Sequence, residues 1–213
     1  MKTFFKKVYH NYLKFPLYIL FHPFDGYDDF KRGKKGSLIV AIIFILLFAF
    51  LRIIEYQYSG FIVSDFNPKN LNSLKELIAT ILIVFLFVVG NWSVTTLMNG
   101  KGSAKEIFMV TGYSLLPMIL IGFPTILVSN LITLDEVGLY SLIKIIAIVL
   151  TAWMLFMGML NIHEYGLFKT LAAFLLTILS MAAMIFVGLL FFDLIQQFIT
   201  FIKMIWQELS LRY

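Results

Sequence analysis

The sequence predicts an all-α polytopic membrane protein. Five transmembrane helices are flanked by an amphipathic N-terminal helix and an amphipathic C-terminal extension. Three observations lead there. Five apolar stretches lie at about 37–55, 74–98, 106–132, 138–161 and 169–192, and a helix needs about 20 apolar residues to cross the hydrocarbon core. The chain is 61% hydrophobic and 14% charged, with a mean hydropathy of +0.92, where a soluble domain carries about 25% charged residues. Neither 1–36 nor 193–213 could bury a core of its own, so 37–192 forms one membrane domain.

The first segment holds most of the charge imbalance. Residues 1–36 contain eight basic and three acidic groups, and the rest of the chain is balanced. The pI of 9.3 therefore reports this segment and no affinity for nucleic acid. Phe4, Phe5, Val8, Tyr12 and Phe15 share one helical face, with Lys2, Lys6, Lys7 and Lys14 on the other. That is the pattern of a basic helix lying on a membrane surface. Pro16 and His22-Pro23 are read as its end, making 22–36 a loop. Lys31, Arg32, Lys34 and Lys35 in that loop, the four lysines before it, and Lys101 are candidates for binding anionic lipid or a partner. No continuous apolar core precedes the first span, so no cleaved signal peptide is expected.

The spans follow in order. Basic groups gather in 1–36, 99–105 and 162–169, whereas 133–137 holds only Asp135 and Glu136. The positive-inside rule then places the N-terminus in the cytoplasm and the C-terminus outside. Arg52 and Glu55, three apart at the outer end of span one, read as a snorkelling ion pair. Ser73-Leu74-Lys75-Glu76, Ser103-Ala104-Lys105-Glu106 and Thr133-Leu134-Asp135-Glu136 read as capping boxes that start spans two, three and four. Asn91 is a polar group available to a neighbouring helix. Pro117 and Pro124, near Gly112 and Gly122, predict a kinked third span. Beyond span five, Asp193, Gln196, Gln197, Thr200, Lys203 and Gln207 form one polar stripe. A single helix over 169–208 would run about 60 Å, twice the hydrocarbon thickness. The tail must bend onto the surface, project outward or dock on a partner.

The reactive motifs fail at identifiable positions. His163-Glu164-Tyr165-Gly166-Leu167 has Leu167 where a zinc helix needs its second histidine. Gly112-Tyr113-Ser114-Leu115-Leu116 lacks the second glycine of a nucleophile turn, and Ser114 reads as bonding its own helix. Gly100-Lys101-Gly102-Ser103 has Thr95 in place of the upstream phosphate-loop glycine and Gly102 where a hydroxyl should follow the lysine; its glycines read as turn formers. His10, His22 and His163 read as satisfied loop histidines. Cysteine is absent, which excludes thiol chemistry. The expectation is a non-enzymatic protein with no catalytic residue, metal or cofactor.

Residues 22–38 (HPFDGYDDFKRGKKGSL), 91–117 (NWSVTTLMNGKGSAKEIFMVTGYSLLP) and 162–170 (IHEYGLFKT) resemble bacterial members of the Ypt-interacting-protein (Yip) domain family. The resemblance runs from about residue 20 to residue 192. Its motif positions are Pro23, Asp25, Asn91, Gly100, Gly102, Gly112, Tyr113, Ser114, Pro117, His163 and Tyr165. Gly112-Tyr113-Ser114-Leu115 with Pro117 is similar to the glycine–tyrosine element of eukaryotic members. Their acidic segment before the first span is not evident here. The resemblance implies five spans in a bacterial plasma membrane and a cytoplasmic N-terminus. Eukaryotic members act in vesicle traffic through Rab GTPases, which a bacterial member would lack. Bacterial members are associated with carbohydrate ABC importers, implying an accessory subunit or scaffold that binds such a membrane complex. The alternative reading is a small transporter or lipid-handling protein that uses the kinked third span.

Overall fold

The computed structural model describes residues 14–64 and 71–211, and these contain helices and no strand. The elements are α1 (Phe15–Phe21), α2 (Pro23–Lys31), α3 (Leu38–Tyr58), α4 (Ser73–Leu97), α5 (Ala104–Ser114), α6 (Leu116–Ser129), α7 (Val137–His163) and α8 (Leu167–Leu211). Helices α5 and α6 together form the third span, so five segments are long and apolar enough to cross a membrane. The expected basic surface helix lies largely outside the described residues, which include only Lys14 and Phe15 of its two faces.

The segment read as a loop over 22–36 is mostly helical. Both prolines expected to stop a helix begin one: Pro16 and Pro23 stand at the first positions of α1 and α2. Proline fits there because the first turn has no use for its missing N–H. The hairpin buries Phe15, Ile19, Tyr27 and Phe30.

The third span is the hub. It is 56% buried over its most apolar stretch, against 6% for α8, and it packs on α3, α4 and α7. Its kink is a break at Leu115. Pro117 supplies no N–H to carry the α5 ladder onward, so α6 starts afresh around it. Close packing at two glycines sets the spacing. A Cβ on Gly112 would sit 2.7 Å from the Ala41 backbone on α3, and one on Gly158 would sit 2.3 Å from Val110 Cγ1 on α5. Small residues at such crossings are how membrane helices gain dispersion contact without a hydrophobic drive.

The span starts were read correctly at two of three caps. Ser103 and Thr133 form capping boxes with Glu106 and Glu136. At span two the cap is Asn72, whose Oδ1 accepts from Lys75 N at 3.1 Å, and Ser73 is the first helical residue. The tail does not bend: α8 is one helix of 45 residues, about 67 Å long. It buries Thr170, Ala173 and Thr177, and everything from Phe191 to Leu211 is exposed.

Candidate functional site

One end of the bundle gathers most of the motif residues. Here the α1–α2 hairpin, the 98–103 connection and the α7–α8 turn meet. Tyr113 centres the hairpin side. It is fully buried, and Phe15, Phe30 and Phe44 meet its ring edge-on at 6.4, 5.3 and 5.7 Å. Its hydroxyl accepts from Ser37 N at 3.2 Å, fixing the entry to α3. Neighbouring Ser114 donates to Thr111 O at 2.8 Å, within its own helix.

His163 organises the other side. It ends α7 and is 2% exposed, a buried helix-end histidine and not a loop one. Gly102 N donates to its Nδ1 at 3.3 Å, which leaves the ring proton on Nε2. Nε2 then faces Asn91 Oδ1 at 3.3 Å, and Asn91 Nδ2 donates to Thr177 Oγ1 at 3.1 Å. Thr177 in turn donates to Ala173 O at 2.7 Å. The relay runs in one direction from the 98–103 connection through α7 and α4 into α8. Each buried polar atom along it has a partner, as the low dielectric demands.

Gly100 and Gly102 make room for this ring. A Cβ on Gly100 would lie 2.6 Å from His163 Nδ1 and from Tyr165 Oη, and one on Gly102 would lie 2.7 Å from His163 Cε1. Neither glycine has positive φ; among the described residues those that do are Lys34, Asn99 and Glu164. These glycines are thus there for space, not for turn geometry. Tyr165 stacks on His163 at 5.3 Å and donates to Thr95 O at 3.2 Å, closing the end of α4. Lys169 sits over the Tyr165 ring at 4.3 Å. Burial pushes the Tyr165 hydroxyl above its usual range.

Glu164 joins the two sides. It caps α7 in the left-handed region, at φ 54° and ψ 42°, which ordinarily favours glycine or asparagine. From there its carboxylate meets Lys101 Nζ at 2.5 Å and Lys31 Nζ at 3.4 Å. The Lys101 hydrogen bond, then the Lys31 charge, hold its carboxyl below the usual range. Lys31 also donates to the Ile162 carbonyl at the helix end, a good place for a cation. Beside these groups, Phe24, Asp28, Arg32 and Asn161 help enclose a cavity of about 370 Å³.

Other expected positions fall as follows. Arg32 pairs with Asp28 at 2.9 Å and Lys35 with Asp29 at 2.5 Å. Pro23 and Asp25 lie in the first turn of α2, and His22 stacks on Tyr18 at 5.1 Å. Lys14 is exposed just before α1. Lys2, Lys6, Lys7 and His10 lie outside the described residues. Pro117 and Pro124 belong to α6. Thr95 and Thr177 were not foreseen; a threonine in an apolar run is too common to mark a relay. Lys144 reaches Glu55, 89 positions away, a partnership no local spacing reveals. Among the described residues no three metal-ligating side chains converge. The arrangement is a clamp that ties three connections into one surface.

A family model described as the Yip1 domain matches residues 17–201 of the chain. No curated protein and no solved structure matches it significantly.

Proposed function

The chain belongs to the Yip1 domain family, and we propose that it is a non-enzymatic scaffold or accessory subunit that binds another membrane protein. The observation that carries the reading is α8. At about 67 Å it exceeds the roughly 30 Å hydrocarbon core twofold, and from Phe191 onward nothing in the described chain packs on it. A partner that covers its apolar side would account for that length. The clamped end supplies a second surface, held rigid by the His163 relay and the Glu164 ion pairs. With the N-terminus in the cytoplasm of a bacterial cell, that surface faces the cytoplasm, beside anionic lipid. A carbohydrate ABC importer is the first complex to test.

The experiment is mild purification at native expression from lipid nanodiscs, with proteins identified in stoichiometric amounts. A chain ending before Phe191 should remain folded and lose the partner. Repeated isolation of the intact chain alone would overturn the scaffold reading. The alternative, a small transporter or lipid-handling protein, is favoured by a cavity beside α6. Flux or lipid scrambling in proteoliposomes that disappears in Pro117→Ala would support it, and inert vesicles would end it.

A further inference from the structure

At the end of the bundle opposite the His163 clamp, α3, α6 and α7 enclose a cavity of about 210 Å³. Its floor is apolar, built from Phe48, Leu51, Met118 and Ile121, and its upper wall holds Arg52, Glu55 and Lys144. Glu55 accepts from Arg52 Nη1 at 3.0 Å and from Lys144. Its side chain is only 12% exposed, while Arg52 and Lys144 are 37% and 41% exposed. Two cations share one carboxylate, so the cluster keeps a surplus positive charge.

Position makes that surplus costly. Arg52 lies six residues before the end of α3 and Lys144 seven after the start of α7, about 10 Å below the helix ends at roughly 1.5 Å per residue. Charge at such depth is expensive and finds a counter-ion or a function. The Tyr140 ring, 5.4 Å from Lys144 Nζ, covers part of one ammonium but brings no net charge. By volume the cavity holds roughly seven waters, enough for a phosphate group and too little for a whole lipid.

We propose that Arg52 and Lys144 bind the monoanionic phosphodiester of an anionic lipid in this cavity, with its acyl chains remaining in the bilayer. The phosphate takes charge-assisted hydrogen bonds from both side chains. Glu55 sets their geometry and limits the site to a single negative charge. The inference is independent of the scaffold reading, since it concerns the other end of the molecule.

The test uses the full-length protein in mild detergent, with native mass spectrometry counting bound lipid. Phosphatidylglycerol should stay bound at energies that strip phosphatidylcholine. Lys144→Met should lower its occupancy about tenfold, as expected for one lost charge-assisted contact. Glu55→Gln should raise it, because two uncompensated cations then face the cavity. A purely structural ion-pair cluster gives the opposite sign: Glu55→Gln would leave lipid occupancy unchanged or lower it, and the proposal would fall. Equal retention of the two lipids would also overturn it. Displacement of phosphatidylglycerol by inorganic phosphate would reassign the site to the free anion and overturn the lipid. If Lys144→Met does not elute as a single folded species, Arg52→Gln replaces it beside Glu55→Gln.

Discussion

Replacing Asn91 by leucine should show whether the His163 relay holds the clamped end together. Asn91 is 1% exposed and takes part in two interhelical hydrogen bonds, with His163 and with Thr177. Such bonds average about 0.6 kcal/mol each within a membrane. Leucine also leaves the buried His163 Nε2–H without an acceptor, which costs about 1–3 kcal/mol. Thr177 still donates to Ala173 O and loses little. The expected destabilisation is about 2–4 kcal/mol.

A double-mutant cycle isolates the relay from the change in side-chain shape. His163→Phe keeps a ring against Tyr165 and removes both nitrogens. On its own it should also destabilise, because the Asn91 amide oxygen and the Gly102 N–H are orphaned; the Gly102 loss recurs in the double variant and cancels in the cycle. Combined, the two substitutions leave no unpaired group between α4 and α7, so the double variant should be more stable than the sum predicts by about 1–2 kcal/mol. The assay is denaturant titration in mixed micelles followed by far-ultraviolet circular dichroism. Additivity within about 0.5 kcal/mol would refute the reasoning and reduce the relay to adjacent, uncoupled contacts.

Further predictions address space, an unpaired hydroxyl and pH. Gly102→Ala should cost about 1–3 kcal/mol by overpacking against His163, while Gly166→Ala, with open space around it and φ outside the left-handed region, should be neutral or slightly stabilising in the same titration. Tyr27 is buried with no partner for its hydroxyl, and burial pushes its ionisation far up. Tyr27→Phe should therefore raise stability by about 1 kcal/mol; a lower Tm would contradict this. The Glu164 carboxyl is held below its ordinary value of 4.5. The stability it contributes is present above that pH and is lost as pH falls through the lower, folded-state value. Hydrogen exchange in 98–103 and 163–166 should accelerate over that acid range, and Glu164→Gln should reduce that acceleration.

The spans were legible because hydropathy over 20 residues is a local property that the bilayer enforces. The caps at Ser103 and Thr133 were legible for a similar reason: hydroxyl and carboxylate stand three apart and need nothing else. At span two, adjacent Asn72 and Ser73 are both good caps, and spacing alone favoured the wrong one. The prolines at 16 and 23 misled because proline ends one helix and begins the next with the same ring, and only packing of the α1–α2 hairpin decides between them. Gly100 and Gly102 read as turn formers since sequence shows the loop and not the His163 ring above it. Glu55 and Lys144 each sit in a separate apolar run, and only the helix packing brings them together.

The two ends share a charge arithmetic and differ in solvent. At each, two cations meet one carboxylate: Lys31 and Lys101 on Glu164, Arg52 and Lys144 on Glu55. Glu164 stands at an exposed helix end where water screens the surplus, with Asp28 and Asp29 on the nearby α2. The pairs there serve mainly to fix the position of the α7–α8 turn, since exposed ion pairs contribute little energy. The two cations on Glu55 are rooted about 10 Å below the helix ends, where water is scarce and an uncompensated cation must recruit an anion. The same stoichiometry therefore gives a positioning device at one end and a ligand-seeking site at the other. Exchanging the carboxylate for its amide separates them: Glu164→Gln should loosen a connection, and Glu55→Gln should tighten the hold on an anionic lipid.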